Sequence, residues 1–202
     1  MSCGKLSNRD FFNEIAPCWD NITEVIPYKI RYILHKADIQ PGQKVLDIGT
    51  GTGVLIPYIG EIIGETGAID AVDISEEMLK IAQSKYSKFN NIRFINKDIE
   101  EDTLNDQYDA ITLYCMYPHL NSPLETLQWL AKANLKPGGH ITIAFPQSKL
   151  AINSIHRHND GSVHSDKLTC ATILAAQIKA MGLNPDYIED SDDYYIIRIT
   201  NQ

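Results

Sequence analysis

The chain has no run of Lys or Arg, no paired cysteines and no long apolar stretch, and each absence removes a class of function. Its 26 Asp and Glu outnumber 18 Lys and Arg, for a formal charge of −8. That weighs against nucleic acid or an anionic bilayer as the main partner, because both need a basic surface. The four cysteines, Cys3, Cys18, Cys115 and Cys170, are scattered without a C-x-x-C pair. Neither a disulfide framework nor a zinc ribbon is written here. No stretch reaches membrane-spanning length, and the opening "MSCGKLSNRDFFNEIAP" lacks the apolar core of a secretion signal. The expectation is a cytoplasmic protein with no membrane insertion. There is no internal repeat and no low-complexity linker, and 202 residues suit one domain with a proper core.

What is present is alternation. Two helices are expected over 8–37, "NRDFFNEIA" before Pro17 and "PYKIRYILHKA" with apolar residues at helical spacing, before "QPGQ" breaks the chain. Strands are expected at 44–49, 67–74, 91–98, 108–116 and 140–146. Helices are expected at 53–63 with Pro57 in the first turn, at 75–89 with Ser75 as N-cap, at 123–135 and at 167–182. A polar, histidine-containing loop is expected over 147–166. The tail "DYIEDSDDYYIIRIT" reads as two strands joined by a turn at Ser191–Asp193. Alternating strands and helices imply a parallel sheet covered on both faces. The last pair must be antiparallel, since a parallel return needs a dozen or more residues. Trp129 sits at core spacing, one of Tyr194 and Tyr195 should face the core, and Cys170 lies in an apolar helical stretch.

The densest signal is "KVLDIGTGTGVL" at 44–55. Glycine at alternate positions means that the backbone turns sharply or lies against a ligand. A phosphate-binding P-loop needs a lysine after the last glycine, and Val54 and Leu55 stand there instead. The dinucleotide pattern G-x-G-x-x-G registers from neither Gly49 nor Gly51. A glycine-rich turn without any ligand is the bland alternative. Against it, Asp47, Asp73 and Asp98 end three consecutive expected strands, and ligands of open α/β sheets bind outside the carboxyl ends of the strands. Asp73 is placed to accept both hydroxyls of a ribose, and Asp98 to meet an adenine edge.

These segments resemble those of class I S-adenosylmethionine-dependent methyltransferases of the small-molecule type, in particular the ubiquinone/menaquinone-biosynthesis group. "VLDIGTGTG" is similar to the first motif of that family, "AVDISEEML" to its ribose motif, "NKDIEE" to its adenine motif and "LKPGGHITIAF" to its hairpin-and-strand motif. "FFNEIAPCWD" resembles its cofactor-covering segment, with Trp19 where a tyrosine is more usual. The resemblance implies a Rossmann-like, doubly wound, seven-stranded and mostly parallel sheet whose last strand is antiparallel. It implies a helical lid over 1–40, a cofactor-binding domain over 41–202, and S-adenosylmethionine as cofactor. Gly49, Thr50, Gly51 and Gly53 would form the cradle, with Asp47 toward the methionine amino group. Asp73 would hold the ribose with Ile74 and Met78 beside it, and Asp98 and Ile99 would frame the adenine. Tyr114 and Cys115 would lie nearest the methionine end.

Methyl transfer from such a cofactor needs mainly positioning, and a base only when the acceptor must lose a proton. His119 in "CMYPHL" and His156 in "NSIHRHNDGSVHSDKL" are the candidate acceptor contacts, with Tyr117, His158, His164 and Asp166 nearby in sequence. The histidines have no standard metal-ligand spacing, so no metal is expected. The expected acceptor is a small molecule, and a homodimer is left open. The competing readings are a nucleic-acid or protein methyltransferase on the same fold, a non-catalytic adenosyl-cofactor binder, and an NAD-dependent oxidoreductase. The acidity and the lack of an N-P-P-Y-type sequence after the fourth strand disfavour the first, and the glycine register disfavours the last.

Overall fold

The computed structural model describes residues 7–158 and 167–201, those at 155–158 by their backbone alone. Three helices come first, α1 (Asn8–Ile15), α2 (Trp19–Ile22) and α3 (Pro27–Lys36). The alternating part follows as β1 (Lys44–Ile48), α4 (Ile56–Ile63), β2 (Ala68–Asp73), α5 (Glu76–Tyr86), β3 (Ile92–Asn96) and β4 (Tyr108–Tyr114). It continues with α6 (Pro123–Ala133), β5 (Leu135–Phe145), α7 (Lys149–His158) and α8 (Ala171–Ala180), and ends in β6 (Asn184–Asp190) and β7 (Tyr195–Thr200).

The seven strands lie in the order β3-β2-β1-β4-β5-β7-β6. β7 runs antiparallel to both β5 and β6, and the remaining pairings are parallel. This is the expected doubly wound sheet with a reversed last strand. Successive residues of β1 serve opposite faces, as strand geometry requires. Leu46 and Ile48 join a core with Leu127 and Leu130 of α6 and Leu174 and Ile178 of α8. Val45 joins a second core with Ile30 and Leu34 of α3 and Ile56 and Ile59 of α4. Helices therefore cover both faces, and the central strands carry apolar residues on both. Tyr195 is fully buried, whereas Tyr194 is half-buried and stacks on Tyr32 with ring centroids 4.5 Å apart. Trp129 packs half-buried against the first core.

The local starts follow the expected chemistry where a cap is written. The Ser75 hydroxyl accepts from the Met78 N–H, and Glu76 and Glu77 stand in the first turn of α5, where carboxylates suit the positive end of a helix. Elsewhere the boundaries differ. α4 begins at Ile56 rather than 53, because residues 50–54 complete the glycine turn, with Gly53 at φ +86°. β5 begins at Leu135 and runs through "KPGG". Leu135 pairs with Tyr108, a register shift follows, and Gly139 lies where a Cβ would be 2.7 Å from the Asp109 carbonyl. The glycine pair makes a bulge in a strand, not a break before one.

The largest correction concerns the loop expected over 147–166. Residues 149–158 form α7, started by Ser148, whose hydroxyl accepts from the Ala151 N–H at 3.3 Å. Ile152 is buried in the core, and Asn153 donates to the Leu168 carbonyl and accepts from the Leu168 N–H, both at 2.9 Å. Those two bonds hold 167–170 extended, so α8 starts at Ala171 and not at 167. Cys170 is thus not inside a helix. It is the half-buried residue before α8, with Sγ 2.8 Å from Lys149 Nζ. His164 and Asp166 lie outside the described residues.

Replacing Asn153 by Ala leaves two buried backbone groups of Leu168 without their side-chain partner. The expected result is a loss of about 1–3 kcal/mol in urea unfolding with an unchanged slope. The exposed Leu150→Ala change on the same helix should leave stability within about 0.5 kcal/mol.

Candidate active site

The carboxyl ends of β1 to β5 open into one cavity of about 1180 Å³, covered by residues 7–25. Two glycines of the turn after β1 shape its floor. Gly49 at φ +69° sits where a Cβ would be 2.8 Å from Met116 Cβ, so a side chain is excluded both by the backbone and by a neighbour. Gly51 at φ +55° meets only Trp19 Nε1 at 3.8 Å, which leaves its backbone bare toward the cavity.

Asp73 ties this turn to the rest. One carboxylate oxygen accepts from the Gly51 N–H at 2.7 Å and the other from the Ser75 N–H at 2.9 Å. Burial raises its pKa, and the bonds from Ser75, Gly51 and Ile74 offset part of that rise. Each oxygen keeps acceptor capacity for a further donor. Ile74 and Met78 line the wall beside it. Asp98 and Ile99 line the wall beyond β3, where Asp98 accepts from the Glu100 N–H at 3.0 Å.

Asp47 is wholly buried and stands behind the wall rather than on it. One oxygen accepts from the Thr112 hydroxyl at 2.7 Å, and the other, Oδ2, has no hydrogen-bond partner among the described residues. Burial pushes its pKa up to about 6; the Thr112 and Thr50 hydroxyls pull down, and the Asp73 charge adds to the rise. Thr50 itself lines the cavity. Gly53 is absent from the wall: a Cβ there would lie 2.7 Å from the Tyr86 ring, so this glycine admits Tyr86 of α5.

At the other end, β4 runs out in Tyr114 and Cys115. Cys115 adopts φ +55°, a strained value for a residue with a Cβ, and its thiol opens onto the cavity. The residue is exposed to the cavity, and desolvation by the walls raises the pKa of its thiol, with the Tyr114 hydroxyl opposing. Among the described wall residues from β4, β5 and the segments after them, Met116, Leu120, Phe145 and Ile152 are apolar, beside Tyr114, Cys115 and His119. Charged groups stand along the β2–β3 end, at Asp73, Lys97, Asp98, Glu100 and Glu101, and on the covering side, at Arg9, Asp20, Glu24 and Lys85. Glu100 also accepts from the Asn121 and Ser122 N–H groups.

His119 lines the cavity half-buried. Its ring meets Phe12 edge-to-face at 5.3 Å, and its carbonyl accepts from Asn8 Nδ2 at 2.9 Å. The His156 and His158 side chains lie outside the described residues. Several wall residues were not singled out in the sequence: Asn8 and Lys85, which carry no motif, and Phe12 and Asp20, which lie within "FFNEIAPCWD". Asp20 follows Trp19 directly, and a carboxylate at the end of "FFNEIAPCWD" is the one signal that pointed to it. Among the described residues, no group of three His, Cys, Asp or Glu is placed to hold a metal ion, and no helix is long and apolar enough to cross a membrane.

Residues 39–200 match the family described as a methyltransferase domain. The chain belongs to that family. Its domain is of the class I, S-adenosylmethionine-dependent kind. This methyltransferase domain is similar to the ubiquinone/menaquinone biosynthesis C-methyltransferase UbiE of Idiomarina loihiensis, at 29% identity over 66% of the chain and 57% of the relative. It is about as similar to the ubiquinone biosynthesis O-methyltransferase of Vibrio parahaemolyticus, at 30% identity over 64% of the chain and 58% of the relative. The matched stretch thus spans less than two thirds of the length of either curated relative. The fold is shared with a SAM-dependent methyltransferase from Aquifex aeolicus, at a TM-score of 0.71 and 19% identity, covering 98% of this chain and 100% of that one. It is shared too with magnesium protoporphyrin IX methyltransferase from Synechocystis, at a TM-score of 0.67 and 18% identity over 96% of this chain and 97% of that one.

The buried Asp47 yields a stability prediction. Its pKa is raised from 3.8 to about 6 by folding, so the native state holds a proton that the unfolded chain releases. Stability of the ligand-free protein should therefore fall as pH rises from about 4 to about 6, by roughly 3 kcal/mol from this group. Asp47→Asn should flatten that slope and be the more stable protein at pH 7. Urea unfolding across that pH range checks it, and an unchanged slope in the variant would contradict the assignment.

Proposed function

We propose that this protein transfers a methyl group from S-adenosylmethionine to a small-molecule acceptor by in-line displacement. The observation that carries the reading is Asp73, buried at the tip of β2 and held by the Gly51 and Ser75 N–H groups against one large cavity. Its remaining lone pairs suit two vicinal hydroxyls. The residues fit the cofactor in two further respects. The unpartnered oxygen of Asp47 suits an ammonium group, directly or through water, and the bare backbone at Gly51 leaves room for close approach.

When bound, S-adenosylmethionine supplies a sulfonium-activated methyl group. The chain's own residues bind, orient and exclude water. In this reading Asp73 takes the ribose, with Ile74 and Met78 packed beside it, and Asp98 and Ile99 frame the adenine. Thr50, with Gly49, Gly51 and the more distant Gly53, keeps the turn open. Trp19 covers the site from α2, and Tyr114 and Cys115 lie under the methionine end. The cavity exceeds the usual size of a single-ligand pocket, which leaves space for an acceptor beside the cofactor. At the β4–β5 end His119 is a polar group placed to contact an acceptor. The two relatives methylate carbon and oxygen respectively by their names, at nearly equal identity, and do not favour either atom here.

Calorimetric titration with S-adenosylmethionine, S-adenosylhomocysteine and NAD tests the cofactor. The adenosyl ligands should bind in the micromolar range of about −8 kcal/mol while NAD is silent. Asp73→Ala should weaken their binding by about 10- to 100-fold, as for a lost hydrogen bond to a charged group. Silence from both adenosyl ligands with folded protein would overturn the reading. Once an acceptor is found by screening, His119→Ala should lower kcat by about 100-fold if its acceptor must lose a proton. Adenosyl-ligand affinity should stay within about twofold of the native value. Normal turnover by the variant would remove His119 from the acceptor site.

A further inference from the structure

The segment that covers the cavity is held in an unusual way. α1 and α2 contain no fully buried residue, and Ala16 between them is the one buried apolar residue from 7 to 25. A roof without a core of its own has low local stability, so the contacts at its rim decide whether it stays shut. Besides the Phe12 contacts to Trp19 and His119, the roof meets the sheet tips at three polar points. Asn8 reaches the His119 carbonyl. Asn13 Oδ1 accepts from the Ser75 hydroxyl at 2.6 Å and from the Glu77 N–H at 3.3 Å. Asp20 makes the third.

Asp20 differs from the other two in what it holds. One oxygen accepts from the Thr52 hydroxyl at 2.6 Å, and the other pairs with Lys85 Nζ of α5 at 2.5 Å. Lys85 Nζ in turn donates to the Thr52 carbonyl at 3.3 Å. A closed ring of three residues thus joins α2, the glycine turn and α5. Thr52 is buried and is the next residue after Gly51, whose N–H holds Asp73. Burial raises the Asp20 pKa, but bonds from Lys85 and Thr52 and the Lys85 charge outweigh it and hold the carboxyl below its usual range. The carboxylate is therefore charged at neutral pH, as the ring requires.

We propose that Asp20 and Lys85 are positioning residues that latch the roof to the glycine turn and set how long the adenosyl ligand stays bound. This rests on the cofactor reading above. Neither residue needs to touch the reacting atoms. Lifting α2 breaks the ion pair and frees Thr52, so roof opening and loosening of the cradle are one event. Because about half of the Asp20 side chain is exposed, salt screens the pair, and the latch weakens as ionic strength rises.

The test is the off-rate of tritiated S-adenosylhomocysteine from the full chain, chased with unlabelled ligand at about 0.02 and about 0.5 M NaCl. In the native protein the off-rate should rise about threefold or more between the two salts. Asp20→Asn removes the charge yet can still accept from Thr52. It should raise the low-salt off-rate about three- to tenfold and abolish the salt dependence, and Lys85→Met should do the same with no further gain in the double variant. Asp20→Ala, which also frees Thr52, should be faster again. In ligand-free protein, Asp20→Asn should speed amide exchange across residues 8–22 and leave β1 and β4 unchanged, which separates an open roof from a damaged fold. Equal off-rates and equal salt response in native and variant proteins would overturn the latch while leaving the cofactor reading intact. Failure of the native protein to retain the ligand at all would overturn both.

Discussion

The architecture of the site depends on one buried carboxylate accepting two backbone N–H groups from different elements. Asp73 ends β2, Gly51 belongs to the turn after β1, and Ser75 caps α5. A carboxylate 7% exposed is costly unless its lone pairs are met, and these two donors meet half of that need. The remaining capacity faces the cavity. The same bonds that stabilise the charge also fix the turn, the strand end and the helix start relative to one another. Any ligand that supplies the missing donors completes a set that the fold has already arranged.

Asp47 shows the opposite economy. It is buried one strand over, bonded at one oxygen only, and its pKa lies near 6 because desolvation exceeds the help of two hydroxyls. Such a residue lowers the stability of the empty protein, and proteins keep strain of this kind where a site needs it. Cys115, at φ +55° where β4 meets the cavity, is a second instance. Cys115 lines the crevice and Asp47 lies behind its wall, both close to the glycine turn. The stable parts of the domain, the two cores on either face of β1, lie beneath and carry that cost.

The roof is built on another principle. Helices α1 and α2 meet the segments beneath through side-chain hydrogen bonds, an ion pair and the edge-on contact of Phe12 with His119, without a buried core of their own. Polar contacts of modest individual strength can break and re-form without unfolding what lies below. A cover of this construction is suited to opening, and the rigid carboxylates and glycines beneath it are suited to remaining in place.

Much of this was legible in the order of residues. Apolar runs ended by Asp47 and Asp73, the glycines at 49, 51 and 53, and Ser75 followed by Glu76 and Glu77 are local signals. Their meaning follows from strand alternation, allowed backbone angles and capping chemistry, which need no distant partner. The short final turn likewise required β6 and β7 to be antiparallel. The tertiary structure decided the rest. Residues 149–158 became helix because Ile152 found the core and Asn153 found Leu168, a partner 15 residues away that no local pattern announces. Gly53 makes room for Tyr86, and Asp47 lies behind the cavity wall instead of on it. Asp20 gained its role only because Thr52 and Lys85, 32 and 65 positions on, are folded against it. Period and capping are properties of neighbours in the chain. Pairing across the fold is a property of where the backbone returns, and only the folded chain sets that.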